Sequence, residues 1–223
     1  MLQHRVLETV GTARNYIEWL ADLVAPHLGD DPIEIGSGLG DHAQRWLDAG
    51  VPRLTLTERD PTLRKHLQER YAGDSRVVVR ELDLLTADTG SFSAAVMLNV
   101  LEHIGDDTTA LRHARAFAER VVVLVPAFEF AFGDFDRALG HHRRYTKPSL
   151  SRAAAAAGLH VDELKYVNAP GLLAWVVMVK WLGHWPRETR ALRAWDRAVV
   201  PLVRGLEERV APPFGQSLLL AAH

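Results

Sequence analysis

The sequence predicts an α/β fold: a largely parallel sheet with helices on both faces. Two observations predict it. Short β-branched runs alternate with segments of helical pattern, the rhythm of strand–helix–strand units. The runs are also nearly continuous in apolar residues rather than alternating, as expected of strands covered on both sides.

The elements follow in order. "ARNYIEWLADLVAPHL" reads as a helix preceding the first strand. The strand candidates are then "PIEIG", "RLTLTE", "RVVVREL", "AAVMLNV" and "RVVVLVP". Between them lie the helical stretches "DHAQRWLDAG", "DPTLRKHLQERYAG" and "DDTTALRHARAFAER". After Pro126 the rhythm changes to a loop rich in aromatics and charge, "AFEFAFGDFDRALGHHRRYTK". An alanine-rich helix follows, with Pro148 in its first turn and Gly158 just past its end. "LHVDELKYVN" and the closing "GQSLLLAAH" read as a sixth and a seventh strand. Between these two, Asn168 to Pro213 reads as a helical insertion carrying tryptophans, within a single domain spanning residues 1–223.

Composition excludes several classes. Without cysteine there is no disulfide, thiolate nucleophile or Cys-ligated zinc. A net charge of −2 gives no global attraction to nucleic acid or to an anionic membrane. The first twenty residues lack the pattern of a signal peptide, and "APGLLAWVVMVKWLGHW" is short for a span and interrupted by Lys180. The expectation is a cytoplasmic protein, monomeric or homodimeric, without stable membrane insertion.

The chemistry sits on a few stretches. In an open parallel sheet, ligands bind outside the carboxyl ends of the strands, where strand order reverses. The first strand there runs into Gly36-x-Gly38-x-Gly40 followed by Asp41. A dinucleotide fingerprint wants glycine or alanine where Asp41 stands, and a Walker loop wants Gly-Lys-Ser/Thr. Asp41 at a helix start would also repel a pyrophosphate. Glu34, inside the first strand, can organise the loop or meet the ammonium of a zwitterionic ligand; it can equally be a strand-end charge in water. Glu58 ends the second strand about twenty residues on, where a carboxylate takes ribose hydroxyls. Asp83, in "ELDLL", lies where an adenine amino group can donate to it, or serves as a turn aspartate. Asn99 is placed to offer a backbone carbonyl, with Glu102 and His103 just beyond.

These residues together resemble the class I S-adenosylmethionine-dependent methyltransferases. The resemblance rests on "IEIGSGLGD", Glu58 in "TERDP", "LDLL" and "FSAAVMLNVLEHIGDD", in that order. One departure is the missing Pro-Gly-Gly turn before the fifth strand. The resemblance implies a Rossmann-like three-layer sandwich: a seven-stranded, mostly parallel sheet whose antiparallel last strand lies between the fifth and sixth. It implies S-adenosylmethionine as cofactor and S-adenosylhomocysteine as product. Glu34, Gly36, Ser37, Gly38 and Gly40 would surround the methionine end, Glu58 the ribose, Arg59 the adenosine flank, Asp83 and Leu84 the adenine, and Asn99 the ammonium.

The acceptor is expected downstream, in "FGDFDRALGHHRRYTK", a pattern similar to a recurring bacterial subgroup of these enzymes. His141, His142 and Tyr145 are the candidate catalytic groups, a histidine being the natural base. Arg143 and Arg144, with His103, are the candidate acceptor contacts; an arginine pair suits a carboxylate or phosphate. The alternative is internal pairing, Asp134 and Asp136 neutralising the two arginines. The paired histidines lack further ligand spacing, so no metal is expected. The predicted activity is methyl transfer to O or N, including a carboxylate, of a small acceptor that is anionic or partly hydrophobic. The rivals are an NAD-dependent oxidoreductase and a non-catalytic subunit that binds S-adenosylmethionine.

Overall fold

The computed structural model describes residues 2–85, 90–185 and 189–223. All seven strand candidates form strands: β1 Pro32–Ile35, β2 Leu54–Thr57, β3 Val77–Arg80, β4 Phe92–Leu98, β5 Ala118–Pro126, β6 Val161–Val167 and β7 Ser217–Ala222. They make one sheet in the order β3-β2-β1-β4-β5-β7-β6. The first five pair in parallel, and β7 runs antiparallel to both β5 and β6. The sheet therefore has the predicted topology. Its order reverses between β1 and β4, so the binding crevice belongs at the carboxyl ends of those two strands.

The helices are α1 Leu2–Gly11, α2 Arg14–Val24, α3 Asp41–Asp48, α4 Pro61–Arg70, α5 Asp107–Phe117, α6 Asp134–Leu139, α7 Lys147–Ala156, α8 Ala169–Ala174 and α9 Arg190–Glu207. Local chemistry sets several ends. The Asp60 carboxylate accepts from the amides of Thr62 and Leu63, with Pro61 opening α4. Thr146 caps α7 in the same way, and Gly158 follows that helix at a φ of 81°.

Alternate residues of each central strand point to opposite faces. On one face Ile33, Met97, Val121, Val123 and Leu220 pack with Leu111 and Phe117 of α5 and with Leu150 and Ala154 of α7. On the other, Leu56, Val96, Val122, Leu124 and Leu219 pack against Trp19 of α2, Trp46 of α3, Leu67 of α4 and Val200 of α9. Each such side chain contributes about 1.5–3 kcal/mol by leaving water. The three layers follow directly from this two-sided apolar pattern.

Three features differ from the sequence expectation. The N-terminal region holds two helices, not one, and α1 was not foreseen. The aromatic segment after β5 is not simply a loop, since it contains the 3₁₀ turn Glu129–Ala131 and α6. The stretch 168–213 (residues 186–188 of which lie outside the described residues) does not behave as one unit. Its α9 belongs to the helical layer, where buried Asp196 accepts from the backbone amides of Asn15 and Tyr16 at the start of α2. Its first part, α8 and the π-helical stretch Trp175–Trp181, approaches α6 instead, with Trp175 edge-on to Phe135. Among the described residues no helix is long and apolar enough to cross a membrane.

Candidate active site

The glycine loop joins β1 to α3 at the point where strand order reverses. Gly36, Gly38 and Gly40 all have positive φ, of 69°, 55° and 76°. Two of them are also pinned by space. A Cβ on Gly36 would lie 2.8 Å from Val100, and one on Gly40 would lie 2.7 Å from Leu67. The loop is tied to β2 by three bonds. The Ser37 amide donates to the Thr57 carbonyl at 2.8 Å, the Thr57 amide to the Ser37 hydroxyl at 3.2 Å, and the Thr57 hydroxyl to the Glu34 carbonyl at 2.9 Å. Tyr71 donates its hydroxyl to the Gly40 carbonyl at 2.8 Å. The loop is thus held in shape before any ligand arrives.

Glu34 is buried, with Oε1 3.7 Å from His42 Nδ1 and Oε2 without a hydrogen-bond partner. It is not a strand-end charge facing water. A buried carboxylate oxygen with a vacant acceptor position suits the ammonium of a zwitterion, directly or through water. Glu58 is half-buried at the end of β2. Its Oε2 accepts from the Gly38 amide and its Oε1 from the Asp60 amide, each at 3.0 Å. Arg59 is exposed and lies 3.9 Å from the Asp83 carboxylate. Asp83 also accepts from the Leu85 amide at 3.1 Å, the turn-aspartate arrangement, with its side chain still 43% exposed. Leu84 is buried, and its carbonyl accepts from His113. Asn99 is exposed with a φ of 54°, its own amide donating to the Leu124 carbonyl. These ten predicted cofactor residues come from the ends of β1, β2 and β4 and the turn after β3, at one edge of the sheet. The unforeseen α1 adds to them: Leu7 lies against Gly38, and His4 bonds the Asp60 carboxylate at 3.1 Å.

Downstream the structure sorts the predicted acceptor residues by exposure. Arg144 is buried, with Nε on the Asp136 carboxylate at 2.9 Å and its guanidinium over the Trp175 ring. Arg143 is partly exposed but engaged by Asp107 at 2.6 Å and by the Gly105 carbonyl. Internal pairing therefore holds for both arginines: Asp136 takes Arg144 as foreseen, whereas Asp134 pairs Arg137 and leaves Arg143 to Asp107. Tyr145 lies in the core, 1% exposed, its hydroxyl donating to Asp107 at 3.0 Å. Burial pushes its hydroxyl pKa far above the tyrosine range. A proton held that firmly makes Tyr145 a structural strut between β5 and α5, an arrangement that favours packing over proton transfer. His142 is exposed, and His141 sits behind it on Asp136, 2.9 Å from Nδ1.

Glu102, which the sequence reading placed only beside the cleft, turns out to be 0% exposed, with neither carboxylate oxygen hydrogen-bonded. Burial pushes its carboxyl up to about 8, partly countered by Arg144. Burial, followed by the neighbouring His141 and His142, pulls His103 down to about 4. Burial would also raise Asp136, but His141 and Arg144 outweigh it and hold it below the usual carboxylate range. The partners missed in the sequence, Asp107 and Trp175, lie in α5 and in the π-helical stretch, away from the segment they hold.

Comparison with known proteins fits this geometry. Residues 33–120, from β1 to the start of β5, match a family model described as a methyltransferase domain. No curated protein matches the chain. Among solved structures, geranyl diphosphate methyltransferase in complex with SAM is 14% identical, with a TM-score of 0.64 over 92% of this chain and 84% of that one. Magnesium protoporphyrin IX methyltransferase from Synechocystis PCC 6803 with bound SAH is 11% identical, with a TM-score of 0.59 over 95% and 83%. The [4+2]-cyclase SpnF is 20% identical, with a TM-score of 0.62 over 92% and 79%. The architecture is the Rossmann-like methyltransferase fold.

Proposed function

We propose that the protein is an S-adenosylmethionine-dependent methyltransferase acting on O or N of a small-molecule acceptor in the cytoplasm. One observation carries the reading. A preformed glycine loop at the reversal point is flanked by Glu58 on the ribose side and by the orphan Glu34 oxygen on the amino-acid side. The family match over residues 33–120 supports it.

The residues present fit the cofactor. Glu58 would accept from the ribose hydroxyls, because each carboxylate oxygen has room for a second donor beside its backbone amide. Asp83 and Leu84 would border the adenine, with Arg59 along its outer flank. Glu34, the Asn99 carbonyl and the loop of Gly36, Ser37, Gly38 and Gly40 would hold the methionine end. When bound, the cofactor supplies an activated methyl on a sulfonium. The protein's task is then to align the acceptor behind that methyl and exclude water. His142, exposed beside Gly105, is the group placed to take a proton from an acceptor that carries one. A carboxylate acceptor would need no base. Exposed Phe130, with Phe128 beside it, would offer an apolar contact to a partly hydrophobic acceptor.

The NAD reading is disfavoured by Asp41, which opens α3 and is paired with Arg70 at 2.8 Å. A use of the fold without methyl transfer stays as the second reading, because one structural neighbour is named a cyclase. Calorimetry with S-adenosylhomocysteine tests the binding, and Glu58→Gln should weaken it by about ten- to a hundredfold, the loss of charge-assisted bonds. Wild type that fails to bind removes the proposal. Wild type that binds but methylates nothing in an acceptor screen favours the second reading.

A further inference from the structure

Beyond the cofactor loop, one cluster has a geometry that nothing so far accounts for. Glu102 and His103 end the 3₁₀ turn Leu101–His103 after β4, and His141 follows α6. Their ligand-type atoms all lie within 4.8 Å of one another. The His103 and His141 rings meet edge to face, centroids 4.6 Å apart. We infer that Glu102, His103 and His141 form a binding site for one divalent transition-metal ion.

Three features support the inference. The Glu102 carboxylate is completely buried, yet among the described residues no donor or cation bonds either oxygen. Leaving such a group unmet is costly, and a bound cation would satisfy it. The nearby cation, Arg144, bonds Asp136 through Nε, and its Nη1 reaches neither Glu102 oxygen. Second, the His141 imidazole is oriented by an acceptor on one nitrogen, Asp136 2.9 Å from Nδ1, and the Leu139 backbone carbonyl lies beside His103. That is the arrangement of metal-bound histidines, in which the outer partner fixes the tautomer and leaves the other nitrogen to the ion. Third, two imidazoles and one carboxylate suit zinc, manganese, iron or cobalt rather than magnesium or calcium. Ligands about 2.1 Å from a shared ion lie roughly 3–3.5 Å apart, so small side-chain rotations close the set.

Three protein ligands leave positions open on the ion. The turn that carries Glu102 and His103 abuts the glycine loop, Val100 lying against Gly36. The open positions therefore belong to the cleft. On the transferase reading, on which this point alone rests, they would take an oxygen of the acceptor.

The test uses the full chain, stripped with a chelator and titrated with zinc and with manganese by calorimetry. One ion per chain is expected. His103→Ala, His141→Ala and the near-isosteric Glu102→Gln should each weaken binding about tenfold or more. His160→Ala, in the separate exposed cluster of His160, Asp162 and His223, should leave it unchanged. Cobalt should give an imidazole-type visible spectrum in wild type that is lost in His141→Ala. No stoichiometric binding to folded wild type overturns the site, as does unaltered binding in all three variants. S-adenosylhomocysteine titrated into the same stripped samples separates the two ideas. Homocysteine-nucleoside binding without metal binding sinks the metal site alone, and metal binding without it sinks the transferase reading alone.

Discussion

At the scale of the residue, His142 and Tyr145 stand three positions apart and differ in every property that matters for proton transfer. His142 is exposed, and its backbone amide donates to the Glu102 carbonyl at 2.8 Å. Tyr145 is sealed, its hydroxyl committed to Asp107. The two substitutions should therefore separate. His142→Ala is expected to lower methyl-transfer turnover while S-adenosylhomocysteine affinity stays within about twofold, because an accessible base acts on the transition state more than on cofactor binding. Equal turnover in the variant would remove the base. Tyr145→Phe keeps the ring in its core position and deletes one hydrogen bond. It should cost about 1 kcal/mol of stability by chemical denaturation and leave turnover essentially intact. A collapse in turnover with an unchanged denaturation midpoint would restore Tyr145 to the chemistry.

At the scale of the element, α2 shows how a helix end can be satisfied from far away. Ala13 precedes it and supplies no side-chain cap. Asp196 of α9 takes that part, its two oxygens accepting from the amides of Asn15 and Tyr16 and from the Asn15 side chain. Asp196→Ala removes a charge-assisted cap at the positive end of the helix, and should destabilise the protein by about 1.5–3 kcal/mol in urea titration. A loss below about 0.5 kcal/mol would mean that water caps α2 as well. The same contrast between near and far explains what was legible in the sequence. The strands, the glycine loop and the Pro148 and Gly158 bounds of α7 are written in adjacent residues, because backbone sterics and apolar period act locally. Glu58 was legible because its distance from the loop is fixed by one strand–helix–strand unit. The partners of Asp196 and Arg143 were not, since each lies in another element and the pairing depends on how the layers close. Asp134 illustrates the point: it is nearer than Asp107 to Arg143 in sequence, yet it faces Arg137, one turn along its own helix.

At the scale of the whole molecule, three tyrosines bolt the layers together, and all three must keep their protons. Tyr71 joins α4 to the glycine loop through the Gly40 carbonyl. Tyr145 joins β5 to α5 through Asp107. Tyr16 of α2 faces Ser217 of β7, Asn168 after β6 and Glu207 of α9. Burial is the leading cause in each case, and it raises all three hydroxyl pKa values, Tyr71 from 10.0 to about 12. The sign follows from linkage. A raised folded-state pKa means that the unfolded chain releases its proton first, near pH 10, so unfolding is favoured as pH rises. The stabilising contribution is complete below about pH 10 and is lost progressively toward pH 12, where Tyr71 itself titrates. A shift of about two units in this buried group corresponds to roughly 2–3 kcal/mol, an order-of-magnitude figure. The thermal midpoint should therefore hold up to about pH 10 and fall steeply above it. Tyrosinate absorbance should appear together with unfolding rather than before it for these three residues. Tyr71→Phe should start from a lower midpoint, having lost its bond to Gly40, but fall less steeply with alkali, because one of the three linked protons is gone. If wild type and Tyr71→Phe show the same slope above pH 10, Tyr71 ionises as freely in the fold as in the open chain, and the bolt at the glycine loop is not closed in solution.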